Sequence, residues 1–386
     1  MLDDPQVFLL FAVVTLLLYW TLPSHLWQAR ETVLIVTSAV FIYLVSPASL
    51  VLCLVVSLTV IMACRLFRVI DRISILWLSL ALLASIVVVG DLYLAHGNAL
   101  ATLGLAFMVL KSTAVLVDNF QERRRAPVPR FRQLLLLNSF FPIYAAGPIE
   151  RIDGFSRSAL SVRFQLDDFV QGLMRLALGL FKVAFISGAL IEPLVDARKA
   201  GMYAVWPPFP WWETYCFIWL RLLSLYFNFS GYTDVAIGVG KMLGLTIREN
   251  FNYPFLATSI QDFWKRWHTS MTDLAFQYLY FPLFRTLQGN TYLAICVTFV
   301  VIGLWHKVTV NYLLWGLAHG AALSLTTFYT AKVGMMKSVI RLRQTIPYKA
   351  VGWALTMTFI AWIWAIAIAP GMDEGMTLTW RLLGLL

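Results

Sequence analysis

Residues Thr32–Cys64 read TVLIVTSAVFIYLVSPASLVLCLVVSLTVIMAC, 33 residues without a charge. A helix crosses a hydrocarbon core of about 30 Å with about 20 residues, so this run is too long for one ordinary crossing. Ser46-Pro47 lies near its middle. Proline has no amide donor and pushes the residue before it out of helical geometry. The stretch therefore predicts two short spans joined by a tight turn. Arg65, Arg68 and Arg72 follow it, then two further apolar runs, Ser74–Ala95 and Ala99–Val117, and then Arg123-Arg-Arg-Ala-Pro-Val-Pro-Arg130-Phe-Arg132, the most basic stretch of the chain. Cytoplasmic loops carry the excess of Lys and Arg. Placing Gln28–Glu31, Arg65–Arg72, Arg123–Arg132 and Lys332–Lys349 on the cytoplasmic side satisfies the alternation of spans. The acidic Met1-Leu2-Asp3-Asp4 start and the Met372-Asp373-Glu374 turn then lie outside.

The whole composition agrees. Of 386 residues 60% are apolar and 13% charged, with a mean hydropathy of +0.75, against roughly 45–50% and 25% in soluble domains. This excludes a soluble, disordered, collagen-like or disulfide-stapled chain. The expectation is an all-α polytopic membrane protein, one domain of about 10–12 transmembrane helices with re-entrant or interfacial segments around a central funnel. Within it, residues 1–102 are N-terminal spans, 103–330 a core, and 331–386 a C-terminal loop and last span, Val351–Ala369. The net charge of +10 reads as positive-inside loops facing membrane lipid, not as a nucleic-acid surface, because no basic domain stands outside the apolar runs. Cys53, Cys64, Cys216 and Cys296 have no metal-ligand or redox spacing and read as buried thiols. Val7–Leu22 lacks the basic start of a signal peptide and reads as a retained membrane helix.

The middle of the chain is less regular. Leu134–Ile149 is interrupted by Pro142, Gly147 and Pro148, which predicts a broken or re-entrant segment. Such backbone survives at membrane depth only where protein covers it or it lines a wet cavity. Phe169–Ile191 reads as a span with Arg175 and Lys182 seven residues apart on one helical face. Ile218–Phe229 and Asp234–Leu245 read as two further apolar segments. Arg248–His268 is too rich in Asn, Arg and Trp for lipid and reads as helix ends and loops at an interface or inside a funnel.

His25 and His96 fall at loops. His268, His306 and His319 lie within 52 residues of one another. His319 sits in Trp315-Gly-Leu-Ala-His319-Gly320, inside the apolar helix Tyr312–Thr327. From the residues alone it is either hydrogen-bonded to a neighbouring helix or functional. Trp264 and His268, at i and i+4, share a helical face, as an aromatic anchor or as part of a site. No metal motif, nucleophile elbow, P-loop or dinucleotide fingerprint is present. Imidazoles with few acids nearby suit general-base chemistry on a hydroxyl, since burial favours the neutral ring.

Several spaced motifs carry a resemblance: Phe140-Phe-Pro-Ile-Tyr-Ala-Ala-Gly147-Pro-Ile-Glu-Arg151; Asn228-Phe-Ser-Gly-Tyr-Thr-Asp234-Val-Ala-Ile-Gly; Glu249-Asn-Phe-Asn-Tyr-Pro-Phe255; Phe263-Trp-Lys-Arg-Trp-His268; Leu304-Trp-His306; and Trp315-Gly-Leu-Ala-His319-Gly. In this order they resemble membrane-bound O-acyltransferases. The likeness is to the bacterial branch that includes the alginate O-acetylation protein and the D-alanyl-lipoteichoic acid transferase, and it runs from about Leu103 to Thr327. Lys307 stands where that family usually has glycine after the Leu-Trp-His motif.

The resemblance implies that His319 is the catalytic residue and that His268 is held near the catalytic centre. His306, Trp264, Trp267 and Asn252 are further candidates to line that centre. The implied reaction carries an acyl group, acetyl or D-alanyl, from a thioester to a hydroxyl, with no bound cofactor or metal. The donor is cytoplasmic acetyl-CoA or an acyl-carrier-protein thioester. The acceptor is an exported cell-envelope polysaccharide or teichoic-type polymer, reached directly or through a periplasmic or extracellular partner acyltransferase. The implied location is the bacterial cytoplasmic (inner) membrane. His319 would take the hydroxyl proton, and His268 would orient it or stabilise the oxyanion. Arg266, Lys265, Lys182 and Arg175 are candidate contacts for the anionic donor. A transporter or channel and a non-catalytic scaffold of an envelope-polymer complex are the alternatives.

Overall fold

The computed structural model describes residues 5–70, 73–94, 99–122, 127–144, 146–203 and 209–385. The Met1–Asp4 start, Arg72, His96 and Arg123–Arg125 lie outside the described residues. The chain divides into two compact units, Met1–Phe181 with Gly231–Glu249, and Lys182–Ser230 with Asn250–Leu386.

The first unit opens with α1 (Pro5–Trp20), α2 (Trp27–Val45), α3 (Pro47–Val69), α4 (Ile73–Leu94) and α5 (Ala99–Gln121). The break expected at Ser46-Pro47 is present. Ser46 is extended, its side chain accepts from the Ser49 amide, and Pro47 begins α3 where its missing donor costs nothing. Among the described residues five helices are long and apolar enough to cross a membrane, and Gln6–Trp20, Ile73–Val88 and Thr291–His306 are shorter apolar helices. Val36, Val40, Tyr43 and Leu44 of α2 are all exposed. In water that surface would be a liability; against lipid it is the ordinary outer face of a spanning helix.

Arg30, expected in a cytoplasmic loop, is buried within α2. It donates to the Leu22 carbonyl at 2.8 and 3.1 Å and to the Val162 carbonyl at 2.6 Å. The guanidinium thus caps backbone acceptors left over where the chain leaves α1.

The interrupted segment follows as α6 (Phe131–Ser139), a single 3-10 turn Phe141–Ile143 and irregular chain. Side chains from earlier helices meet several of its polar groups. Lys111 Nζ donates to the Leu137 carbonyl at 2.7 Å. Asn138 Nδ2 donates to Ser57 and Ser112, each at 3.1 Å. The Phe141 amide donates to Ser38 at 3.2 Å. This is how a broken helix is accommodated in a span-rich unit. α7 (Arg157–Leu160) and α8 (Leu166–Leu180) complete the unit together with the end of α10 (Trp211–Met242).

A π-helical stretch, Phe181–Ile191, which belongs to the second unit from Lys182 onward, continues into α9 (Glu192–Met202). Arg175 lies in α8 of the first unit, and Lys182 lies at the head of this stretch. The two expected segments Ile218–Phe229 and Asp234–Leu245 belong largely to one continuous helix, α10, which runs through Gly231 without a break. Beyond it come α11 (Ile260–Trp264), α12 (Thr269–Ala275), α13 (Phe281–Thr286), α14 (Thr291–His306) and α15 (Val310–Lys332). The basic Lys332–Lys349 region holds a short helix, α16 (Lys337–Gln344), before α17 (Ile346–Ile368). The expected Met372–Glu374 turn is instead the start of α18 (Met372–Leu382). Cys53 and Cys64 are buried thiols as expected, but Cys216 is exposed and Cys296 half-buried: an apolar run does not say which face of its helix a cysteine occupies.

Candidate active site

The site is built on the α14–α15 hairpin of the second unit. Two glycines let these helices touch backbone to backbone. A Cβ at Gly316 would stand 2.5 Å from the Phe299 carbonyl oxygen, and one at Gly320 would stand 2.8 Å from Cys296 Cα. The Trp-Gly-Leu-Ala-His-Gly pattern is therefore a packing pattern as well: small residues at i and i+4 face α14. His319 stands beside this seam.

His319 is 2% exposed. Its ring is boxed by Trp264, Phe299, Trp315 and Phe359, at centroid distances of 5.2, 6.0, 4.5 and 5.3 Å. The indole Nε1–H of Trp264 donates to His319 Nδ1 at 3.3 Å. Among the described residues the imidazole is met by rings and one hydrogen-bond donor.

Trp264 is the last residue of α11, a helix capped by the Ser259 side chain accepting from the Asp262 amide at 3.1 Å. The expected shared helical face of Trp264 and His268 is not formed. The helix ends at Trp264, and His268 has left-handed backbone, φ 45° and ψ 53°. That conformation is uncommon for a residue with a Cβ and persists only where the surroundings hold it. Here the holding groups are visible. The Thr269 amide donates to the Asn250 carbonyl and the Asn252 amide to the Arg266 carbonyl, both at 2.9 Å. The His268 Nδ1 and Asn250 Oδ1 atoms are 2.9 Å apart, and Phe229 packs edge-on against the ring at 4.8 Å.

His306 ends α14 and its ring lies 5.8 Å from that of Trp315, which itself contacts His319. From His268, ring contacts run through Phe229, Phe251, Trp267 and Phe263 to Trp264, which packs on His319. The three histidines singled out in the sequence thus belong to one aromatic cluster, with His268 and His319 buried and His306 exposed at its edge; His25 is on the surface elsewhere. Trp267 packs among Phe251, Phe263, Phe255 and Tyr226. Asn252 presents an exposed side chain and uses its backbone instead, its carbonyl accepting from Arg266 at 3.3 Å.

Asn250, two residues earlier in the same motif, is the asparagine that reaches a histidine. Sequence alone could not separate the two, since the contact spans 18 residues. Phe299 and Phe359 were likewise invisible as wall residues, being ordinary aromatics in apolar helices.

The four candidate donor-binding cations differ. Arg175 lies in the first unit, paired with Asp234 at 2.6 Å and Glu249 at 2.7 Å. Lys182 is half-buried in the π-helical stretch. Arg266 is paired with Asp262 at 2.7 Å. Lys265 is exposed and lines a cavity of about 470 Å³ whose wall also includes Trp264 and Phe299. The cavity therefore shares two walls with the His319 box. Among the described residues no cluster of three His, Cys, Asp or Glu side chains is placed to hold a metal ion.

A buried imidazole in an aromatic box, flanked by two more, sits within a region that a family model covers. The model of the membrane-bound O-acyltransferase family matches residues 67–364. The chain belongs to that family. It is 32% identical over 280 residues to the probable alginate O-acetylase AlgI of Pseudomonas syringae pv. tomato, covering 70% of this chain and 49% of the relative. It is 28% identical over 358 residues to the peptidoglycan O-acetyltransferase of Helicobacter pylori, covering 80% of this chain and 65% of the relative. It is 26% identical over 251 residues to the teichoic acid D-alanyltransferase of Bacillus subtilis, covering 60% of each. The chain spans about half the length of the alginate relatives it matches. Family membership and the apolar helices make it a multi-pass, all-α membrane protein.

Proposed function

We propose that this membrane-bound O-acyltransferase family member moves an acyl group from a thioester to a hydroxyl of an exported cell-envelope polymer. The observation that carries the reading is the buried His319 ring, held by Trp264 in a box of aromatic side chains, with His268 and His306 in the same cluster. Thioesters are already activated, so the chemistry asked of the protein is proton transfer and oxyanion stabilisation, both within the repertoire of imidazole. The donor is acetyl-CoA or an acyl-carrier-protein thioester on the cytoplasmic side of a bacterial inner membrane. The acceptor is a polysaccharide or teichoic-type hydroxyl on the far side, reached directly or through a partner acyltransferase. Acetyl is the primary reading of the acyl group, supported by relatives named for O-acetylation of alginate and peptidoglycan; D-alanyl is the second, supported by the relatives named for teichoic acid.

The test uses purified protein in lipid with radiolabelled acetyl-CoA or D-alanyl carrier protein, and alginate, peptidoglycan fragments or lipoteichoic acid as acceptor. Transfer by the wild type and none by His319→Ala supports the reading. A wild type inactive with every donor and acceptor, in the presence of the membrane extract that supplies partners, overturns it in favour of a transporter or a scaffold.

A further inference from the structure

The first unit gathers Arg30, Arg130, Arg132 and Arg157 around the first turn of α2, and their partners can be followed one by one. Arg30 is buried, with its guanidinium carbon over the rings of Tyr19 and Trp20 at 4.7 and 4.9 Å. Its N–H groups go to the Leu22, Leu160 and Val162 carbonyls. Arg132 donates to Glu31 at 2.8 Å and to the Gln28 carbonyl at 3.0 Å. The protein itself engages both of these cations.

The other two differ. Arg130 and Arg157 are exposed, and each places its guanidinium carbon 5.7 Å from the centre of the Trp27 ring. Among the described residues neither side chain has an ion pair or a hydrogen bond, and Asp153, four residues before Arg157, forms no ion pair with it. The half-buried Trp27 likewise has no acceptor for its indole N–H among the described residues, whereas Trp20 donates its own to the Met242 carbonyl at 3.0 Å. A ring face attracts a cation, but two guanidiniums about one ring repel each other, and an anion bonded to both removes that repulsion. Two guanidinium forks and one indole N–H, with no protein acceptor, match the oxygens of a phosphate.

The surroundings say which phosphate. Leu26, next to Trp27 in the chain, is 44% exposed, and Phe164, 50% exposed, packs edge-on against Trp20 at 5.2 Å. A free phosphate gains nothing from such side chains; a phospholipid can lay its apolar part on them while its headgroup meets the arginines. Indoles favour the headgroup level of a membrane. The bonds from Arg132 to Gln28 and Glu31 also join two of the basic clusters read above as cytoplasmic, so this corner stands at that face, where the leaflet carries anionic lipid.

We propose that Arg130, Arg157 and Trp27 form a binding site for the phosphate of an anionic phospholipid of the cytoplasmic leaflet, with Leu26 and Phe164 beside its apolar part. Trp27 opens α2, Arg130 directly precedes α6 and Arg157 opens α7. One bound headgroup therefore ties together three elements that are distant in the chain. A ligand that binds only the folded state stabilises it, so this lipid acts as a structural clamp of the first unit. The site asks nothing of acyl transfer, and its test needs no turnover.

Purified protein is mixed with dioleoylphosphatidylglycerol or dioleoylphosphatidylcholine, bound lipid is read by native mass spectrometry, and stability by thermal unfolding. The wild type should retain the anionic lipid in preference to the zwitterionic one and melt at a higher temperature with it. Arg130→Gln and Arg157→Gln should each weaken phosphatidylglycerol binding about fivefold, and the double variant should lose both the preference and the thermal shift. Trp27→Phe, which keeps the ring and loses the N–H, should weaken it several-fold. Arg341→Gln removes a charge in α16 and should leave the preference intact. Equal melting of all variants in phosphatidylcholine separates lost binding from lost folding. The wild type alone carries a second arm: millimolar inorganic phosphate, glycerol phosphate or coenzyme A should not displace the lipid. A wild type without preference for phosphatidylglycerol, a preference kept by the double variant, or one lost equally in Arg341→Gln overturns the site. Displacement by free phosphate or glycerol phosphate makes it a soluble-anion site, and displacement by coenzyme A gives the arginines to the acyl donor; either result overturns the lipid assignment.

Discussion

Arg175 and Asp234 are joined by a 2.6 Å ion pair that links α8 to the end of α10, the carboxylate only 3% exposed. Glu249 completes the triad, accepting from the guanidinium Nη2 at 2.7 Å. A cation so engaged is part of the framework of the first unit. Arg175→Ala should therefore lower stability by about 3 kcal/mol, the low end of the range for breaking a buried pair because the guanidinium is itself a third exposed. Thermal unfolding in detergent would read it. A rise in donor KM with no loss of stability would instead return Arg175 to the donor path.

Lys265 is the cation best placed for an anionic donor, being exposed at a cavity that shares its Trp264 and Phe299 walls with the His319 box. Lys265→Ala should raise donor KM several-fold at low salt, with the difference shrinking as salt screens the attraction. Acceptor KM should not move.

Loss of His319 should be felt in turnover and not in folding. His319→Ala is expected to insert and purify while activity falls by roughly 10²–10⁴-fold, the range for losing a general base. A twofold loss in a folded variant would rule out a role at the reacting atoms.

The close approach of α14 and α15 makes a separate prediction. Gly316→Leu must displace backbone, since the nearest obstacle to a Cβ there is the Phe299 carbonyl oxygen at 2.5 Å. It should abolish activity through misplacement of His319 and reduce yield, whereas Gly154→Ala, whose nearest contact would be 3.7 Å from a Glu150 oxygen, should do neither.

Topology follows from charge. In a cysteine-free background, Arg130→Cys and Arg341→Cys should both resist membrane-impermeant thiol reagents in intact cells and react once the membrane is opened. Labelling of either from outside would reverse the faces assigned to donor and acceptor.

What the sequence disclosed and what it withheld follow from the range of the forces involved. The Ser46-Pro47 break, the interrupted Leu134–Ile149 segment and the irregular Arg248–His268 stretch were legible because proline chemistry and polar composition act locally. The π-helical winding from Phe181 was not, since its residues are as apolar as those of any spanning α-helix. Nor was the unbroken passage of α10 through Gly231, where tertiary packing overrides a weak helix former. At the site, His319 stood out as an ionisable group in an apolar helix. The left-handed turn at His268 and its tie to Asn250 depend on partners 18 residues away and have no local signature.

The interrupted stretch around Phe140 has a bearing on how the protein is made. The side chains that satisfy it, Ser38, Ser57, Lys111 and Ser112, all precede it in the chain. A ribosome delivers residues from the N-terminus onward, so when Leu137–Phe141 emerges, the four side chains that meet it have already been synthesised. Biogenesis thus need not shelter bare carbonyls and amides from lipid until later helices arrive. A circular permutant that began at Phe131 would lose this order of arrival, and would have to insert its most fragile segment before its chaperoning side chains exist.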